Sequence, residues 1–192
     1  MERIVCFADG GGPFQPCRKV CVALLCYERG PNIDRTPFEV YERLVSLLGW
    51  RRGELKWRSV KKAARRRGVG ESRVARLVVE ESLCYSLAAG HLVDPCEAGL
   101  LKERLLLEAA ERLASLGLRA ATLIVDVNLA RPEALRRAAR MLGASYARMG
   151  NSRVYIGVQL ADIAAGACAE NAVEASAACR TPATSSYPSR RA

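Results

Sequence analysis

Two apolar runs near the start of the chain constrain its fold more than any other feature. RIVCFA (3–8) and RKVCVALLCY (18–27) flank the turn formed by Gly10, Gly11, Gly12 and Pro13. Both read as buried strands, and the glycine turn between them predicts an N-terminal β-hairpin. Beyond Tyr27 the chain is helical in period before a third strand-like run appears, so the pattern is that of a mixed α/β protein.

Thr36 and Pro37 open a helix as N-cap and first helical residue, with Phe38, Tyr41, Leu44, Val45 and Leu48 on one face. ELKW (54–57) precedes the basic run SVKKAARRRG (59–68), read as helical. Residues 71–90 are open between a helix and a strand-containing segment, and charges at intervals unlike strict alternation favour the helix. An amphipathic helix over 97–117 ends at Gly117. RAATLIVDV (119–127) reads as a central strand running into Asp126. Pro132 opens a helix to about Leu142 with Gly143 after it, 144–156 holds a short edge strand, and a last helix occupies about 157–175. The expected organisation is one domain over 1–178, with 51–95 as a basic helical insertion and 179–192 as a disordered Pro/Ser/Arg-rich tail.

No apolar run approaches the roughly 20 residues of a membrane span, and the strand pattern starts without a signal peptide. The expectation is a cytoplasmic protein without membrane contact. The eight cysteines form no CxxC pair and His91 is the sole histidine, which argues against a zinc site. Most cysteines read as small buried hydrophobes. Arg far exceeds Lys, and Asn and Gln are few. This composition fits a GC-rich genome and a thermophilic, archaeal-type source, in which intracellular disulfides occur. Pairing among Cys17, Cys21 and Cys26 therefore stays open.

The net charge is +10, and nearly all of it is local: eleven basic residues lie between Arg51 and Arg76, against Glu54 and Glu71. Such a concentration points to a polyanionic partner, most simply nucleic acid, although a solvated helical face is the ordinary alternative. Arg51, Arg52, Lys56, Arg58, Lys61, Lys62, Arg65, Arg66 and Arg67 are the candidate phosphate contacts. Trp50 and Trp57 bracket the start of the segment, as base-stacking or packing residues.

Of the five aspartates, Asp34 and Asp94 sit in turn contexts, while Asp9, Asp126 and Asp162 lie in apolar surroundings. Glu54 is an acid isolated in the basic stretch. Carboxylates gathered at strand ends repel one another unless hard cations lie between them. Asp9, Glu54, Asp126 and Asp162 are thus candidate ligands and catalytic residues for two Mg²⁺ or Mn²⁺ ions in phosphodiester hydrolysis. Each also has a structural alternative: an Asx turn for Asp9, loop support for Asp126, an ion pair for Glu54, and a backbone hydrogen bond for Asp162.

FADGGG (7–12), ELKW (54–57), IVDV (124–127) and VQLADIAAG (158–166) together resemble the prokaryotic domain-of-unknown-function family number 3800. The resemblance implies an α/β, RNase H-like mixed sheet with an N-terminal hairpin and flanking helices, and the four acids as its metal-binding carboxylates. Two departures stand out, Gly10 and Gly11 where the family has Glu and Ser. PIN-type nucleases are a second nuclease reading, with more closely spaced final acids. The functional expectation is a divalent-metal-dependent nuclease on DNA or RNA. The alternatives are a non-catalytic nucleic-acid-binding protein with a decayed site and a module docking an acidic protein.

Overall fold

The computed structural model describes residues 4–12, 15–51 and 53–180. Its scaffold is one six-stranded mixed sheet of order β5-β4-β1-β2-β3-β6. Strands β1 (Ile4–Gly11) and β2 (Arg18–Glu28) form the expected antiparallel hairpin, with Cys6 opposite Cys26 and Asp9 opposite Ala23. Strand β3 (Cys84–Leu92) continues antiparallel beside β2, and β6 (Ala177–Cys179) closes that edge. On the other side β4 (Thr122–Asp126) runs parallel to β1, and β5 (Tyr146–Gly150) is the parallel edge strand.

The hairpin strands read as nearly continuous apolar runs because both sheet faces are covered. Val5 and Phe7 enter one core with Ala23, Leu25 and Tyr27, packed by α1 (Arg35–Leu48), α2 (Trp57–Arg66), α3 (Glu71–Glu80) and α6 (Ile156–Ala169). Ile4, Cys6 and Ala8 enter the opposite core with Val22 and Leu24, packed by α4 (Ala98–Ser115) and α5 (Pro132–Leu142). Successive residues therefore serve different layers, as the pleat requires. Among the described residues no helix is long and apolar enough to cross a membrane.

Several expectations change. The helix expected over 71–90 ends at Glu80, and 84–92, expected within the basic helical insertion, forms β3. Its sequence lacks a polar/apolar alternation because small and apolar residues serve both faces of a covered strand. Thr36 lies inside α1 rather than capping it, and its hydroxyl donates to the Glu28 carbonyl at 3.1 Å. The last helix stops at Ala169, where Asn171 takes a left-handed φ of 63°. Six cysteines are paired, Cys6–Cys26, Cys21–Cys168 and Cys84–Cys179, while Cys17 and Cys96 are free and exposed. The reading of most cysteines as unpaired hydrophobes is thereby corrected. Two of these bonds join directly opposed strand residues, a proximity that only the register reveals. Of the expected tail, residues 181–192 lie outside the described residues; Cys179 belongs to β6.

Candidate active site

Sheet parity brings the acids together. Val5, Phe7 and Asp9 share one face of β1, Ile124 and Asp126 share one face of β4, and both rows point toward α6. The parallel register pairs Ala8 with Val125. Its next step sets Asp9 beside Asp126, on strands roughly 4.8 Å apart. Helix α6 crosses this end of the sheet and carries Asp162. It sits close because Gly11 and Gly166 meet: a Cβ on Gly11 would lie 2.4 Å from the Gly166 nitrogen. The Gly11 departure thus has a packing reason, since no side chain fits there while α6 holds its place.

Asp9 and Asp126 are each only 7% exposed. Burial, then the charges of Asp126 and Asp162, push the Asp9 carboxyl up to about 8, although its Oδ1 accepts the Gly10 N–H at 2.7 Å. Asp126 Oδ1 accepts the Asn128 N–H at 2.9 Å, so it also shapes the loop after β4, in line with its structural alternative. Burial raises Asp162 too, opposed by the Trp57 N–H and by Lys56.

Two of the resembling motifs, VQLADIAAG and ELKW, meet here. Gln159 and Asp162 lie one turn apart on α6, and both receive backbone N–H groups from ELKW. Gln159 Oε1 accepts from Leu55 at 2.9 Å, and Asp162 Oδ2 accepts from Trp57 at 2.9 Å. Gln159 Nε2 then donates to the Ser152 carbonyl at 2.7 Å. Asp162 therefore caps α2 from another helix, where a carboxylate also complements the positive end of the helix dipole.

Glu54 stands at the rim. Its carboxylate is held low, against a burial penalty, by Ser152, Lys56 and Arg153. Lys56 turns inward from the surface where a phosphate contact was expected. Its Nζ donates to Ser152 Oγ at 3.1 Å and lies 3.3 Å from Glu54 Oε1 and 3.8 Å from Asp162 Oδ1. Lys102 of α4 approaches from the other face, its Cε 3.4 Å from the place a Gly10 Cβ would take. Burial pushes its ammonium down, while Asp9, Asp126 and Asp162 pull it up. Lys102 does not stand out in the sequence, being one of several charges on an amphipathic helix, and Gln159 is visible only as part of the VQLADIAAG motif.

The remaining cations divide. Trp57, Val60, Ala63 and Ala64 bury one side of α2, and Arg58, Lys62, Arg65 and Arg66 line its exposed side. Lys61 pairs with Glu170 and Arg65 with Glu71. Arg51 and Arg67 are exposed at the ends of the segment, and Arg52 lies outside the described residues. His91 is on β3 opposite Lys19, away from the register row of Asp9, Ala23 and Leu87.

Neither a protein-family model nor a curated protein matches the chain. Solved structures do. The ribonuclease H2 from Pyrococcus horikoshii OT3 aligns with a TM-score of 0.54 at 15% identity, over 88% of this chain and 72% of that one. The fold is RNase H-like. A single-site mutant of Bst-RNase HIII aligns with a TM-score of 0.51 at 16% identity, over 88% of this chain and 53% of that one, so the present chain spans about half its length. The expected RNase H-like α/β sheet is thereby found, and its strand order accounts for the meeting of Asp9 and Asp126.

Proposed function

We propose that this protein is a divalent-metal-dependent phosphodiester hydrolase acting on nucleic acid. Asp9, Asp126 and Asp162 form its ligand set, and Glu54 stands at the rim. The observation that carries this reading is the juxtaposition of Asp9 and Asp126, both buried on adjacent parallel strands, with Asp162 close to them on α6. Burial and its two neighbours push the Asp9 carboxyl up. A buried surplus of negative charge is relieved by a hard cation as well as by a proton. The donors are all oxygens, which fits Mg²⁺ or Mn²⁺. Among the described residues no three His, Cys, Asp or Glu side chains are gathered closely enough to hold an ion as they stand. Loading therefore requires Asp9 to release its proton and the carboxylates to draw together.

Held by Asp9, Asp126 and Asp162, one or two such ions would supply an activated water and charge stabilisation for the leaving group. The chain's own residues do the rest. Asp162 holds the start of α2 against α6, so the phosphate-facing helix is fixed relative to the acids. Lys56 and Lys102 place two ammonium groups beside the carboxylates, where charge grows on a phosphate under attack. Arg58, Lys62 and Arg66 on the outer side of α2 hold neighbouring phosphates without reading sequence.

A non-catalytic nucleic-acid-binding protein is the second reading, favoured by Gly10 and by the open spacing of the carboxylates. Labelled single- and double-stranded DNA and RNA, incubated with Mn²⁺, Mg²⁺ or EDTA, separate the two. Metal-dependent cutting by wild type, absent from an Asp9→Asn, Asp162→Asn double variant, supports the hydrolase. Tight low-salt binding with no cutting by either protein supports the binding module.

A further inference from the structure

At the end of α2 remote from Asp162, the C-terminal ends of α1 and α2 enclose a concavity of about 680 Å³ lined by Trp50, Arg51, Arg66 and Arg67 over Leu48 and Ala63. No carboxylate lines it. Lys61 and Arg65 on the same helix have acidic partners, whereas Arg51, Arg66 and Arg67 make no ion pair among the described residues. Three arginines lining one concavity without a counter-charge give it a positive potential that favours an anion.

The walls are held in place. Gly49 adopts a left-handed φ of 59°, and a Cβ there would lie 1.8 Å from Arg67 Nη2, so the guanidinium rests directly on the glycine backbone. The Arg67 N–H caps α2 by donating to the Ala63 and Ala64 carbonyls. The Trp50 N–H donates to the Val45 carbonyl at 2.9 Å and its indole Nε1 to the Gly53 carbonyl at 3.2 Å, leaving the ring partly exposed. The ring packs partly against the core, and the tether fixes the orientation of the part that lines the concavity.

We propose that this concavity is a nucleotide subsite in which Arg51, Arg66 and Arg67 take a phosphate and Trp50 stacks on the attached base. A base can stack only when unpaired, so the ligand class is single-stranded nucleic acid or a frayed end. Helix α2 is about 15 Å long, and Arg58 and Lys62 are exposed along it. A strand lying in the subsite and at the carboxylates spans a few nucleotides. This route rests on the nuclease reading; nucleotide binding itself does not.

The test is tryptophan fluorescence in EDTA, so that neither metal nor cleavage enters. Trp57 is buried against Gly166, which leaves Trp50 as the accessible reporter. Titration with AMP and with a short oligothymidylate should quench it saturably, and inorganic phosphate should compete with AMP. Arg66→Gln, Arg67→Gln should weaken AMP binding at least tenfold. Arg137→Gln, Arg140→Gln on α5, which removes the same charge elsewhere, should change it less than twofold. A Trp50→Leu variant with native circular dichroism should bind AMP about as weakly as phosphate, read by competition with a fluorescent oligonucleotide. Absence of saturable quenching, or equal losses in the two arginine pairs, would overturn the subsite. Quenching with no cleavage activity would leave the subsite standing and count against the hydrolase alone.

Discussion

Asp162 of α6 accepts the first backbone N–H of α2, from Trp57, at 2.9 Å. One side chain thus joins the carboxylate centre to the helix that presents the basic surface. Gln159, one turn earlier, holds Leu55 in the same way, so α6 grips alternate residues of the extended ELKW segment. Because both groups of the Gln159 amide are engaged with buried backbone, Gln159→Ala should destabilise the protein by about 2–4 kcal/mol. Asp162→Ala should cost about 1 kcal/mol as a lost cap, and Asp162→Asn, which keeps an acceptor, distinctly less. Urea denaturation gives the order, and a Gln159→Ala midpoint equal to wild type would remove the clamp.

The raised Asp9 carboxyl makes metal-free stability depend on pH. Its unfolded value is 3.8 and its folded value about 8, so the folded state holds an extra proton between the two. The stability that Asp9 contributes is therefore fully present at low pH and is lost as pH rises from about 4 to about 8. Asp162, raised mainly by burial, adds in the same direction. Melting temperatures in EDTA should fall across this range for wild type and fall less for Asp9→Asn. Mn²⁺ should offset the loss at the alkaline end by replacing the proton. Identical pH profiles for the two proteins would contradict the buried carboxyl.

Adjacent glycines should respond differently to one methyl group. At Gly11 the new Cβ meets the Gly166 and Ala165 backbone at 2.4–2.7 Å. At Gly10 its nearest neighbours are the side chains of Leu129, at 2.9 Å, and Lys102. Gly11→Ala should cost about 3 kcal/mol and Gly10→Ala about 1 kcal/mol or less, since side chains yield where backbone cannot. Calorimetry on both variants decides the matter, and similar losses would count against the close crossing of β1 and α6.

The disulfides predict thiol counts. Two free thiols should react in the unfolded, unreduced chain and eight after reduction. The Cys84–Cys179 and Cys21–Cys168 bonds close stretches of 95 and 147 residues. Breaking a bond that closes a loop of this length costs about 4–5 kcal/mol in the chain-entropy account. Reduction should accordingly lower the melting temperature by about 10 °C or more. Eight reactive thiols without reductant would exclude the pairing.

On the outer side of α2, Arg58 and Lys62 are expected to neutralise phosphates. Arg58→Gln, Lys62→Gln should reduce the slope of log affinity against log salt by about 1.4 for a single strand, or about 0.7 per contact. An unchanged slope would move the nucleic-acid path off this helix.

Sequence alone determined the elements whose signals are local. Apolar runs and turn residues gave the hairpin, Pro132 and Gly143 bounded α5, and the apolar run into Asp126 marked β4. Asp9, Asp126 and Asp162 were legible as candidates because charge amid apolar residues demands a partner. Glu54 had no such signal beyond its motif, and the structure sets it at the rim with Lys56 and Ser152. Tertiary structure decided everything that depends on distant segments meeting. Strand β3 has no alternation because both of its faces are covered, and the disulfide pairing obeys strand register rather than spacing. Lys56 and Lys102 join the acids only through the packing of α2 on α6 and of α4 on the opposite face of the sheet. Periodicity reports which face of an element is buried. Which residues meet across that face depends on register and on the crossing of α6 over Gly11, and a one-dimensional pattern carries neither.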